Sequence, residues 1–407
     1  MARKTVIIGG GQAAIALIAK LRVLAPERHI TLIGDEPWLP YQRPPLSKAY
    51  LSGELTTDRL ALRPIEWFAL EDVEMRMGSR VEAIDRKAAR LHLAGGDTFA
   101  YDDLVLCMGA CARNLPQTIS RDLGGIYTLR GIDDADRLRE EMQSGRHVLI
   151  IGGGYIGLEF AAVASKAGLR VTLVEAADRI LGRVAASETA DYFRGLHRSH
   201  GVDIREKTTV TELSGGERVR RARLSDGDDL AVDFVLAGIG AVANDDLAHA
   251  AGLTVIDGIA VDDQCRTSDG NILAAGDCTS FVFEGARIRL ESVQNAIEQG
   301  EAAAATLAGI ATPRQFSPWF WSDQYDAKLQ IAGLSQGYDS VIRRPGKREG
   351  AQSIWYRKAN RLLAVDAIND PASYMTGRRL IEAGINPAPE EIADPAFALM
   401  KLIAPPR

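Results

Sequence analysis

The sequence predicts an α/β protein with two separate βαβ units built on parallel strands, followed by a smaller α+β domain at the C-terminal end. Three observations lead there. A β-branched run, a glycine cluster and an Ala-rich helical stretch occur together near the start and again in mid-chain. Each copy then returns to a second apolar run that ends in a carboxylate. Beyond Pro318 this rhythm gives way to short strand-like runs and a proline-punctuated helical tail. At 407 residues the chain is too long for one compact core and suggests two or three domains.

The first copy reads Thr5-Val-Ile-Ile-Gly-Gly-Gly-Gln-Ala-Ala14, with helical sequence to about Leu24, and closes on Ile30-Thr-Leu-Ile-Gly-Asp35. A Pro- and Arg-rich loop from Pro37 to Ser47 follows, then the alternating run Val81 to Leu93 and the strand-like Asp103 to Gly109. The second copy, Val148-Leu-Ile-Ile-Gly-Gly-Gly-Tyr-Ile-Gly157, continues as helix to about Ala167 and closes on Val171-Thr-Leu-Val-Glu175. Asp233 to Gly240 and Asn271 to Asp277 read as further strands, and about Asn295 to Leu307 as a helix. The last part carries short strands at Lys328 to Ala332, Ser353 to Tyr356 and Arg361 to Ile368.

Composition narrows the function classes. With 46% hydrophobic and 25% charged residues and no apolar run of membrane-spanning length, the chain reads as a soluble globular protein. Met1 to Lys4 runs straight into Thr5 to Ile8 with no signal-peptide pattern, so a cytoplasmic location with no membrane association is expected. The 48 basic and 54 acidic residues give a net charge of −6 and no nucleic-acid footprint, so any charged docking surface must be local. Cys107, Cys111, Cys265 and Cys278 are too few and too irregularly spaced for a disulfide framework or a zinc site; they read as reduced thiols, and no metal is expected.

The two glycine clusters carry the chemistry. Gly9, Gly11 and Ala14, and then Gly152, Gly154 and Gly157, form the G-x-G-x-x-G/A pattern between strand and helix. Glycine lets the backbone approach a pyrophosphate, and the helix N-terminus offers free N–H groups and positive potential. Asp35 and Glu175 stand where a carboxylate accepts hydrogen bonds from ribose hydroxyls. Glu175 would repel a 2′-phosphate, and Ala176 and Ala177 supply no cation, which favours NADH over NADPH. Two dinucleotide sites without an obvious substrate-pocket motif point to hydride passing from a nicotinamide to a flavin.

Four blocks beyond the glycines carry a resemblance: Arg43-Pro-Pro-Leu-Ser-Lys48, Gly152 to Glu159, Ala275-Gly-Asp277 and Trp319-Phe-Trp-Ser-Asp-Gln324. Over nearly its whole length the chain resembles the FAD-dependent ferredoxin reductases of bacterial Rieske-oxygenase and cytochrome P450 systems, within the glutathione-reductase-like superfamily of pyridine nucleotide-disulfide oxidoreductases. The resemblance implies two Rossmann-like dinucleotide-binding domains plus a C-terminal α+β domain. FAD would be held by segments 1–112 and 241–318, NAD by the inserted segment 113–240, and residues 319–407 would form an interface domain.

By the same resemblance, non-covalent FAD would contact Gly9, Gly11, Ala13, Ala14, Asp35, Arg43, Lys48, Val81, Arg130, Asp277, Val293 and Trp321. NADH would meet Gly152, Gly154, Tyr155, Ile156, Gly157, Glu159, Glu175 and Gly240. Lys48, Glu159 and Trp321 are the expected catalytic residues. Lys48 would stabilise negative charge on the reduced ring, Glu159 would be its charge partner near the nicotinamide, and Trp321 would exclude water at the flavin edge. One departure stands out: Cys107-Met108-Gly109 replaces the family's Ala-Thr-Gly, keeping the turn but losing a hydroxyl.

The implied activity is that of a ferredoxin–NAD(+) reductase, passing single electrons to an iron-sulfur ferredoxin, [2Fe–2S] in type, that supplies an oxygenase. Docking is expected near Arg287, Arg289 and the C-terminal domain, where Arg343, Arg344, Lys347, Arg348, Arg357, Lys358 and Arg361 cluster. A rubredoxin reductase, or an NADH reductase for another one-electron carrier, is the alternative; a redox-signalling flavoprotein of apoptosis-inducing-factor type fits less well. A thiol-disulfide reductase would need a cysteine pair after the first βαβ unit, and Glu36 to Leu60 contains no cysteine.

Overall fold

A computed structural model describes residues 3–310 and 317–403. The expected segments 1–112, 241–318 and 319–407 include residues 1–2, 311–316 and 404–407, which lie outside the described residues. The chain divides into two compact units. The first comprises the described residues of Met1–Arg43, Thr56–Cys111 and Ala241–Phe316; the second comprises those of Pro44–Leu55, Ala112–Gly240 and Ser317–Arg407.

The first unit is built on a five-stranded parallel sheet in the order Ile272–Ala274, Asp103–Leu106, Lys4–Ile8, His29–Ile33, Val73–Arg76. Its inner strands are largely apolar on both faces because both are covered. Ile7 packs with the helices Gln12–Leu24 and Val293–Leu307, whereas Val6 and Ile8 pack towards the antiparallel strands Val81–Asp85 and Arg90–Leu93. Thr279–Phe283 is a strand paired with Ala286–Ile288.

The second unit repeats the arrangement, with a parallel sheet in the order Asp203–Glu206, Arg170–Glu175, His147–Ile151, Phe234–Ala237, Ile126–Tyr127. Leu149, Val174 and Val235 pack on the antiparallel strands Val210–Gly215 and Val219–Leu224. The same unit contains a five-stranded antiparallel sheet ordered Trp319–Gln324, Ala327–Gly333, Arg361–Ile368, Gln352–Lys358, Ser340–Pro345. Its helix Pro371–Glu382 starts sharply because Asp370 accepts from the Ser373 N–H at 3.2 Å and Pro371 occupies the first turn. Trp355, Val365 and Leu380 form the core there. No helix among the described residues is long and apolar enough to cross a membrane.

Candidate functional site

Each unit carries one glycine loop at the C-terminal end of a central parallel strand, the place where open α/β sheets leave a crevice. Gly9 (φ +102°) and Gly152 (φ +108°) adopt a conformation that L side chains rarely take. A Cβ at either would lie 2.2 Å from the Cys107 oxygen or 2.4 Å from the Gly238 oxygen, respectively. Gly11 and Gly154 differ: a Cβ there would meet nothing within 4 Å, so these positions face open space. They are the N-caps of Gln12–Leu24 and Tyr155–Lys166, and neither helix has a side-chain cap. The helices Val293–Leu307 and Pro371–Glu382, in contrast, are capped by Ser292 and Asp370. Two uncapped N-termini beside glycine cradles fit two pyrophosphates.

In the first unit, Ala13 and Ala14 are buried in the opening turn of the loop helix. Asp35 is exposed beside a depression lined by Gly10, Gly34, Pro40, Tyr41 and Met77. Arg43 donates to Glu36 Oε2 at 2.7 Å and to the Tyr41 hydroxyl at 2.8 Å. Val81 is a core side chain, and Val293 opens the Ser292-capped helix. Asp277 follows Gly276, whose N–H donates to the buried Gln299 Oε1 at 2.7 Å; Thr279 Oγ1 donates to the same oxygen at 2.9 Å. The Gln299 Nε2 is buried with no partner among the described residues, a donor left over at this turn. Gly300, next to it, lets the two helices touch, since a Cβ there would sit 2.3 Å from the Ala13 oxygen.

In the second unit, Lys48 and Glu159 come together: Lys48 Nζ lies 2.6 Å from Glu159 Oε2. Ser47 Oγ donates to the same oxygen at 2.5 Å, and Ser322 Oγ donates to Oε1 at 2.7 Å. Glu159 is 2% exposed, so these donors replace the water it has lost. Tyr155 packs on Phe320 with ring centroids 4.8 Å apart. Its hydroxyl is buried without a partner among the described residues, and burial, with Asp366 and Glu159 adding to it, pushes the phenol well above its usual range. Ile156 is 43% exposed, an apolar side chain presented at the mouth of the loop. Gly157 allows the helix to touch the loop, since its Cβ would lie 2.2 Å from the Gly152 oxygen.

Glu175 braces the second loop: Oε2 accepts from Gly153 N–H at 2.7 Å and Oε1 from Ala177 N–H at 2.8 Å. Gly240 (φ +108°) accepts at its oxygen from Arg113 N–H. Arg130 precedes the helix Ile132–Glu141, its own N–H donating to Asp134. Trp321 is half-buried and tilted against Trp319, 5.3 Å between centroids.

The comparisons agree with this geometry. The chain matches the pyridine nucleotide-disulphide oxidoreductase family over residues 3–300 and the reductase C-terminal family over residues 319–403. It is 42% identical to rhodocoxin reductase of Rhodococcus erythropolis over 402 residues, covering 98% of this chain and 94% of the relative. The chain belongs to the ferredoxin reductases of oxygenase systems. The solved ferredoxin reductase for the CYP199A2 system of Rhodopseudomonas palustris superposes with a TM-score of 0.95 at 40% identity, covering 99% of this chain and 100% of that one. A putidaredoxin reductase solved in covalent complex with putidaredoxin gives 0.95 at 37% identity, with 99% of each chain covered. This ferredoxin reductase is an oxidoreductase, and FAD and NAD(H) are the cofactors of its family.

None of the reductase's four cysteines forms a disulfide among the described residues, and three of the four are buried. Burial pushes the Cys278 thiol up to about 11, so it is a poor thiolate source. Sequence reasoning missed Gln299, Gly300, Ser47, Ser322 and Gln324. Ser47, Ser322 and Gln324 lie inside blocks that carried the resemblance, but nothing in those blocks announces whom they touch. Two cations counted in the C-terminal cluster are tied down rather than free to meet a partner: Arg344 is half-buried and Arg357 buried. Arg344 donates to the carbonyls of Glu391, Ile392, Asp394, Pro395 and Phe397.

Proposed function

We propose that this chain oxidises NADH and passes electrons singly to a small iron-sulfur ferredoxin, [2Fe–2S] in type, that supplies an oxygenase in the cytoplasm. The observation that carries the reading is the pair of glycine loops of one build, each ending in an uncapped helix, in two separate units. FAD, when bound, accepts a hydride and releases its electrons one at a time. The loop of Gly9, Gly11, Ala13 and Ala14, with Asp35 and the turn at Asp277, would hold its adenine-dinucleotide part; Arg43, Val81, Val293, Lys48, Arg130 and Trp321 keep the contacts that the family resemblance implies.

The loop of Gly152, Gly154 and Gly157 would hold NADH, with Tyr155, Ile156 and Gly240 beside it. Glu175 uses one lone pair on each oxygen to brace the loop and keeps others to accept from ribose hydroxyls, while its charge opposes a 2′-phosphate. Lys48 provides positive charge where negative charge develops on reduction, and Glu159 fixes its ammonium. Segments 1–112 and 241–318 would form the FAD domain, segment 113–240 the NAD domain and residues 319–407 an interface domain.

For ferredoxin docking, Arg287 is exposed on Ala286–Ile288. Arg289 is ion-paired with Asp257 and Glu291, so Arg287 supplies more of the net local charge. The exposed Arg343, Lys347, Arg348 and Lys358 add charge from the last domain. Steady-state turnover with NADH and NADPH, each with a purified [2Fe–2S] ferredoxin and with ferricyanide, tests the proposal. NADH should be preferred and the ferredoxin reduced; preference for NADPH, or reduction of ferricyanide alone, would refute it.

A further inference from the structure

The ion pair of Lys48 and Glu159 is one end of a longer polar chain inside the second unit. Ser322 Oγ, which donates to Glu159 Oε1 at 2.7 Å, accepts from Gln324 Nε2 at 3.1 Å. Gln324 Oε1 faces His197 Nε2 at 2.8 Å, and the Tyr325 hydroxyl faces His197 Nδ1 at 3.5 Å. Glu159, Ser322, Gln324 and His197 are all buried. Ser322 and Gln324 reach the same side because alternate residues of the strand Trp319–Gln324 share a face, and Phe320 on that face meets Tyr155.

The direction of every bond is determined. An amide oxygen cannot donate, so His197 carries its proton on Nε2 and leaves Nδ1 as the acceptor. Reversing the Gln324 amide would turn the Ser322 proton towards Gln324 and strip Glu159 Oε1 of that donor, at a buried carboxylate that needs it. All donors therefore point towards Glu159. Burial also lowers the imidazole to about 4, which keeps His197 neutral and in one tautomer near pH 7. The Gln324 amide interrupts any proton relay, so the chain serves geometry rather than proton transport.

We propose that Ser322 and Gln324, anchored on His197, are positioning residues for hydride entry: they fix the Glu159 carboxylate, which in turn holds the Lys48 ammonium in one place. The inference rests on the reading of Lys48 and Glu159 as the pair beside the reacting nicotinamide. A buried carboxylate that loses one charge-assisted donor turns towards its remaining partners, and the ammonium turns with it.

Anaerobic stopped-flow mixing of the FAD-loaded protein with NADH separates the limiting rate of flavin reduction from the Kd for NADH. Ser322→Ala and Gln324→Glu should each lower the limiting rate roughly tenfold, the loss of one hydrogen bond to a charged group, with the Kd changed by less than about threefold. Ser322→Thr, which keeps the hydroxyl, should recover most of the rate. Histidine-labelled ¹⁵N NMR gives a readout independent of turnover. His197 should be neutral with its proton on Nε2 in the wild type and in Ser322→Ala, and doubly protonated at pH 7 in Gln324→Glu, where the new carboxylate faces it. Wild-type rates in Ser322→Ala and Gln324→Glu beside a slow Glu159→Gln would overturn the positioning role, as would a Thr variant as slow as Ala. A Glu159→Gln variant at wild-type rate would instead remove the pair from hydride transfer, and this inference with it.

Discussion

At the residue scale, one side chain carries a prediction about coenzyme choice and another about acid sensitivity. Glu175 braces the Gly153 loop, and under the proposed function it would also present negative charge to the ribose. Glu175→Ala combined with Ala176→Arg should narrow or reverse the ratio of kcat/KM for NADH over NADPH, because a guanidinium can pair with the 2′-phosphate. An unchanged ratio would remove Glu175 from coenzyme choice. His197 makes a different prediction. Its folded pKa of about 4 lies below the ordinary 6.5 because burial disfavours the cation. Between those values the unfolded chain binds more protons, so stability present above pH 6.5 is lost as pH falls through 6.5 towards 4, by about 3 kcal/mol in all. Asp366 slopes the other way: burial raises its carboxyl from 3.8 to about 6, so its contribution is present at low pH and is lost as pH rises through 6. His197→Gln should therefore flatten or reverse the fall in Tm of the FAD-loaded protein between pH 7 and pH 5. A variant that keeps the full fall would show that other groups cause it.

Elements matter here where they touch. The helices Gln12–Leu24 and Val293–Leu307 approach so closely at Gly300 that an added Cβ would meet backbone rather than a movable side chain. Gly300→Ala should cost about 1–3 kcal/mol and weaken FAD binding, read by thermal melting and by flavin fluorescence, since the contact sets the helix that follows the Gly9 loop against the helix whose Gln299 holds the Gly276 turn. Unchanged melting and affinity would mean that the helices separate freely. The glycine loops, the acids after the second strands and most strands were legible in the sequence because each is a local pattern: alternation, β-branching, or glycine at a strand end. What was not legible depends on pairs far apart in the chain. Ser322 and Glu159 are 163 residues apart, and His197 and Gln324 are 127 apart, so no spacing rule links them. Gln299 ties down the turn before the strand Thr279–Phe283 from more than twenty residues away, again beyond any spacing rule. Arg344 looked like a docking cation because a charge count cannot see five carbonyls converging from another segment.

At the scale of the whole molecule, a net charge of −6 offers an acidic acceptor no overall attraction, so under the proposed function its recognition would fall to local basic clusters. Arg287→Glu should lower the ferredoxin-dependent rate several-fold at low ionic strength and flatten its salt dependence, with ferricyanide reduction nearly unchanged. Equal loss with both acceptors would mean damage to the flavin site, and no loss with ferredoxin would place docking elsewhere. The central claim is that hydride enters from NADH and electrons leave singly to an iron-sulfur carrier. It is tested most directly by anaerobic single turnover, in which FAD-loaded protein reduced with one equivalent of NADH is mixed with an excess of oxidised [2Fe–2S] ferredoxin and the cluster absorbance is followed. The account predicts rapid bleaching amounting to two ferredoxins reduced per NADH, the two electrons of one hydride. Flavin that stays reduced while the ferredoxin spectrum is unchanged would contradict it.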